Sequence, residues 1–278
     1  MWRPIRARGL RRLGRSPTPN SRSAKSGNHW GLNDLRLYNI VVKHEKDAAV
    51  FFEMTCLPQS FLHCEFLEKM DAVDIKDLRS CLTVGAMDLA MAGEETAVDD
   101  FASFLFNLLG YTSRDIGMQT RKDIEFCISG KSVYAKTGVC LLRRQSETIL
   151  LVQEDRRHLG HRRGHPEAQL IAKAIAAFQS NNEKRYSTGL PLQDQCLIAG
   201  ILMIGAAPVF YKIPVTRELA DAVALSKYPP NPSTVYSHPP PIPRPDFRYL
   251  EGMKPLDNRR IILQCYEAFK KFLNTQDD

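Results

Sequence analysis

The chain of 278 residues has no apolar run approaching the ~18 residues that a membrane-crossing helix needs. Its longest candidate, Leu197 to Val209, contains two glycines and a proline and reads as a pair of strands. A membrane partner is therefore not expected. The seven cysteines (Cys56, Cys64, Cys81, Cys127, Cys140, Cys196 and Cys265) are odd in number and lack close pairs. That argues against a disulfide framework and a zinc knuckle, and for free thiols in a reducing, intracellular compartment. Glycine-rich loops of the kind that cradle nucleotides are missing, and so is a G-x-S-x-G nucleophile elbow. The first 33 residues lack acid altogether: they carry seven arginines and one lysine. Removing those eight charges from the net +7 of the chain leaves residues 34–278 at −1.

The high positive charge thus belongs to a terminal segment rich in Arg and Ser and punctuated by Pro and Gly. Such a composition predicts disorder over residues 1–33. Three readings of it stay open: a mitochondrial transit peptide, a basic arm for nucleic acid or nuclear entry, and a passive tail.

The rest has an ordinary globular composition, 44% hydrophobic and 25% charged, enough for one large domain or two small ones. Residues 34–93 read as a layer of loop and short helix, with helical spacing over Phe61 to Met70. Residues 94–278 read as the core. Thr96-Ala97-Val98-Asp99 matches a capping-box variant, followed by an apolar face at Phe101, Phe104, Leu105 and Leu108 and by Gly110 as a helix end. Strand-like runs follow at Ile124 to Val133, with a Ser129-Gly130 turn, at Thr137 to Leu142 and at Ile149 to Glu154. Pro166 opens a second helix, whose buried face is Leu170, Ile171, Ala174, Ile175 and Phe178. Cys196 to Ile204 and Pro208 to Val215 form a further strand pair. The order from residue 96 is α-β-β-β-α-β-β. Residues 228–245 are a Pro-rich connector with extended polyproline character and a PxxP sequence. A final helix, capped near Asp257 or Asn258, presents Ile262, Cys265, Tyr266, Phe269 and Phe272 to the core.

The candidate site is the junction after Val152. The apolar run Ile149 to Val152 breaks into Gln153-Glu154-Asp155-Arg156-Arg157-His158, and a basic loop then leads to the Pro166 helix. A buried strand rarely ends in so much charge without a charged partner. In the loop, Arg157, His158, Arg162 and Arg163 suit contacts to backbone phosphates. His158, His161 and His165 lack the thiolate or acid pattern of a zinc site, and a merely solvated loop also accounts for the cluster.

These features resemble the PD-(D/E)XK nuclease superfamily. More closely, LLVQEDRRH followed by HPEAQLIAKAIAAFQSNN is similar to a large set of uncharacterised fungal proteins with a QEDK-type strand and a PEAQLIAEAIAAF-type helix. FYKIPVT at Phe210 to Thr216 and EGMKPLDNRR at Glu251 to Arg260 are similar to that set too. The resemblance covers roughly residues 35–275. It implies an α/β, restriction-endonuclease-like α-β-β-β-α-β core, with a mixed central sheet flanked by helices. It also implies Mg²⁺ held by an Asp on the second strand and a Glu on the third, with a Lys two residues beyond.

On that pattern Glu154 is the metal ligand. Gly138 occupies the expected Asp position, in AKTG where the fungal set reads AKTD. Arg156 stands at the Lys position; always charged, it stabilises a phosphate but accepts no proton. Candidate accessory groups are Glu167 and Gln169 on the Pro166 helix and Asp99 and Asp100 on the preceding one; helix capping already accounts for the acids, and a solvated helix position equally for Gln169. The expectation is a nuclease-like domain impaired in catalysis that binds nucleic acid through its basic loop. The alternatives are an active Mg²⁺-dependent endonuclease and a non-enzymatic protein-interaction scaffold.

Overall fold

Ile149, Leu150, Leu151 and Val152 are β-branched or bulky and all fully buried, as an inner strand between two helical layers requires. They form the middle of β6 (Glu147–Glu154). The computed structural model describes residues 25–59, 65–94, 96–144, 146–155 and 165–273. Its nine strands are β1 (Ile40–His44), β2 (Ile116–Thr120), β3 (Asp123–Ile128), β4 (Lys131–Lys136), β5 (Val139–Arg143), β6, β7 (Gln195–Ile204), β8 (Ala207–Thr216) and β9 (Ser233–His238). The α-helices are α1 (Leu32–Leu37), α2 (Ala48–Phe52), α3 (Leu78–Ala92), α4 (Ala97–Leu108), α5 (Pro166–Ser187), α6 (Arg217–Leu225), α7 (Arg248–Glu251) and α8 (Leu256–Phe269).

Seven strands form one mixed sheet in the order β1-β9-β8-β7-β6-β5-β2. β6 and β7 are parallel and joined by α5, and β1 runs parallel to β9; the other neighbours are antiparallel. Side chains alternate across the sheet and feed two cores. Leu150 and Val152 pack with α2, α3, α4 and α8 on one face. Leu151 packs with α1, α5, α6 and the β3–β4 hairpin on the other. The protein is thus α/β, with a mixed sheet flanked by helices. No helix among the described residues is long and apolar enough to cross a membrane.

Several expectations are corrected. The tail reaches residue 33 in the sequence reading, but from Lys25 the chain is packed: Trp30 is fully buried and stacks on Tyr38 at 5.4 Å. Residues 1–24 lie outside the described residues. The layer at 34–93 contains the 15-residue helix α3 and supplies an edge strand, β1, to the sheet. Phe61 to Met70 is no α-helix where it is described: a 3-10 turn covers Glu65–Leu67, and 60–64 lie outside the described residues. Ile124 to Val133 is the separate β3–β4 hairpin; the third strand of the sheet in this region is β2. The hairpin turn itself is as expected, with Ser129 and Gly130 both at positive φ (53° and 71°), which a two-residue turn of the I′ type demands.

The Pro-rich connector holds β9, inserted between β1 and β8. Prolines flank it on both sides, but Ser233 to His238 contains none, so its backbone donors remain free to pair. Cys56, Cys81, Cys127, Cys140, Cys196 and Cys265 are free thiols; Cys64 lies outside the described residues. The closing helix buries Ile262, Cys265, Tyr266 and Phe269, with Phe272 just beyond it.

Candidate functional site

β5 and β6 are antiparallel neighbours, so the start of one lies beside the end of the other. Gly138 immediately precedes β5 and Glu154 closes β6, which puts both at the same end of the sheet. Cys140 pairs with Leu151; continued two residues outward, that register sets Gly138 beside Gln153 and Thr137 beside Glu154. Gly138 itself lies just outside β5, so strand alternation does not fix where a side chain there would point.

The space beside Gly138 is occupied by a residue from α4. A Cβ on Gly138 would overlap Asp99 Oδ1 and lie 3.0 Å from Cγ and 3.1 Å from Oδ2. The expected capping box at the start of α4 does not form. Thr96 is left-handed (φ 67°) and its hydroxyl makes no cap hydrogen bond. An N-cap needs extended backbone to aim its hydroxyl at the free amides. Arg121, also at positive φ (52°), brackets the site from the other side, its N–H donating to Gly138 O at 2.7 Å.

The cation of this group comes from α5. Lys173 is 4% exposed, and its Nζ donates to Gln153 Oε1 at 2.5 Å. Gln153 is itself fixed, its Nε2 donating to Glu154 O at 2.7 Å. Burial pushes the Lys173 amine down to about 8, and the charge of Asp99 opposes the shift. Burial likewise raises the Asp99 carboxyl; Lys173 and then Arg121 pull it down, and Asp100 pushes it up. Asp99, Gly138, Gln153 and Lys173 therefore form one linked group, with Arg121 at its edge.

Of the residues singled out in the sequence, Glu154 is half-buried at the strand end and pairs with Met203 of β7. Asp100 is exposed on α4. Glu167 is buried in the first turn of α5 and accepts a hydrogen bond from Tyr211 of β8 at 2.9 Å, which ties it to a different strand. Gln169 donates to Asn28 O at 2.7 Å and anchors the chain just before Trp30. Arg156, Arg157, His158, His161, Arg162 and Arg163 lie outside the described residues, as does the whole basic loop between Asp155 and His165. A cleft of about 850 Å³ opens at the opposite end of the sheet, lined by Arg143, Glu147, Arg185 and Gln195 among others, and so does not touch this group.

Lys173 and Arg121 were missed in the sequence. A signal existed for Lys173: it interrupts a run of alanines and aliphatics. Hard divalent ions such as Mg²⁺ require oxygen ligands. Gly138 supplies none, and burial raises an Asp99 carboxyl that the charge of Lys173 pulls down. Among the described residues no three His, Cys, Asp or Glu side chains are grouped to hold a metal. Compared with known proteins, the chain matches no family model and no curated protein.

Proposed function

We propose that this protein is a nuclease-like domain of the PD-(D/E)XK type, impaired in metal-dependent catalysis, that binds nucleic acid through the basic loop at 156–163. The order α4, β2, β5, β6, α5, β7 supports the first half, with the β3–β4 hairpin read as an insertion between sheet strands. The observation that carries the reading is at Gly138, which supplies no carboxylate side chain and beside which the tip of Asp99 already lies. The loop sequence supports the second half: Arg157, His158, Arg162 and Arg163 follow Glu154 closely in the sequence.

Fluorescence polarisation with labelled DNA and RNA duplexes tests the binding. Affinity should fall steeply with salt, and replacing Arg157, Arg162 and Arg163 by Ala should flatten the salt slope by about one unit per lost phosphate contact. Binding too weak to measure, or unaffected by the triple change, would leave the protein-interaction scaffold as the better reading.

A second reading, the active Mg²⁺-dependent endonuclease, is favoured by one feature. The Asp99 carboxylate lies where the side chain of residue 138 would project and so offers a carboxylate from another element. Plasmid cleavage separates the two.

A further inference from the structure

We infer that the cleft of about 850 Å³ at the other end of the sheet binds a small oxyanion carried on an apolar body, with the charged head at Arg143 and Arg144. The inference is independent of the nuclease-like reading, because the strand end bearing Glu154 takes no part in it.

A volume of this size suits a small molecule. The cleft opens where β5 ends and β6 and β7 begin: Arg143 closes β5, Glu147 opens β6 and Gln195 opens β7, and all three line it. Arg144, just beyond β5, lines it too, from a left-handed backbone (φ 48°) that is uncommon outside glycine. Arg143 is 6% exposed, and its Nη2 donates to the carbonyl of Leu273, which fixes the side chain.

Three acids share the lining, and each meets a cation. Glu147 pairs with Arg185 at 2.6 Å and Asp194 with Arg217 at 2.9 Å. Glu53 pairs with Lys212 at 2.7 Å and with Lys271 at 3.3 Å. Lys184 adds a further ammonium, donating to the carbonyl of Ser146 in the lining at 2.7 Å. Among the described residues the Arg144 side chain makes no ion pair or hydrogen bond. Seven cations thus stand against three acids in the lining and its bonded partners, whereas residues 34–278 together sum to −1. The surplus is local, and it favours a negatively charged occupant. Leu192, Leu197, Pro214 and Phe272 add apolar surface to the same lining. Guanidinium forks beside apolar surface suit a carboxylate or phosphate on a hydrocarbon body.

Isothermal titration calorimetry of the full chain with octanoate, octyl phosphate and 1-octanol tests this, since the probes share a body and differ in head. At least one of the two anions should bind saturably, about tenfold tighter than 1-octanol, and the tighter of them identifies the head. Arg144→Glu should weaken that anion by about tenfold, while Arg260→Glu, the same charge change at an exposed position of α8 outside the lining, should leave it within about twofold. Should Arg144→Glu fail to fold, Arg144→Asn replaces it, because asparagine tolerates left-handed backbone. No saturable binding of either anion, equal binding of all three probes, or an affinity unchanged in the folded Arg144 variant overturns the inference. Nucleic-acid affinity is measured separately, so failure of the loop to bind does not mimic failure here.

Discussion

The carboxylate of Asp99 lies over the Cα of Gly138, in the space that any larger residue there would use. An acid from a helix and a glycine from a strand edge have become mutually dependent. Gly138→Ala should therefore destabilise the protein by roughly 1–3 kcal/mol, through overpacking against a half-buried charge. Gly138→Asp should cost more, since two carboxylates would then crowd one site.

On the proposed nuclease-like reading, Gly138→Asp with Arg156→Lys alone should gain no nuclease activity, for the same reason. Asp99→Ala/Gly138→Asp should be more stable than Gly138→Asp, a positive coupling in a double-mutant cycle measured by urea denaturation. Simple additivity would show that the two positions do not compete for space.

Lys173 fixes a pH dependence. Its amine titrates near 8 in the folded protein and at 10.5 when unperturbed. Between those values the unfolded chain keeps a proton that the folded chain has released, so stability rises with pH across this window. The gain should reach about 3 kcal/mol. Stability of the native chain minus that of Lys173→Met, followed from neutral to alkaline pH, should show this slope; a flat difference would contradict it.

Trp30 marks where the packed chain is already under way. Fully buried and stacked on Tyr38, it should cost about 3–5 kcal/mol when replaced by Ala. A melting temperature unchanged by Trp30→Ala would return residues 25–33 to the tail.

Arg259 explains the EGMKPLDNRR segment as architecture. Its fully buried guanidinium donates to the carbonyls of Met253, Phe66, Lys69 and Lys254 and lies 4.6 Å from the Phe66 ring centroid. Arg259→Ala would strand those carbonyls and should cost about 3–5 kcal/mol by denaturant titration.

What was legible in the sequence follows from how local each feature is. β6 and α5 were readable because an apolar run gives way to a proline-opened helix with an apolar face, and the hairpin because Ser129-Gly130 permits only a tight turn. β1 and β9 were not, since IVVKH and STVYSH are short, partly polar and owe their strand state to pairing with each other and with β8. Thr96 to Asp99 matched a capping pattern, but the left-handed backbone at Thr96 overrode it. Glu154 and Gly138 could be set at one sheet end because their strands are neighbours. The approach of Asp99 to Gly138 and of Lys173 to Gln153 joins helices to strands through space, and no spacing rule encodes that.

The central claim is that the strand end bearing Glu154 has lost metal-dependent catalysis. Cleavage of supercoiled plasmid, with Mg²⁺ or Mn²⁺, by the native chain and by Glu154→Ala tests it most directly. The account predicts no nicking above background from either protein. Nicking by the native chain that Glu154→Ala abolishes would contradict it.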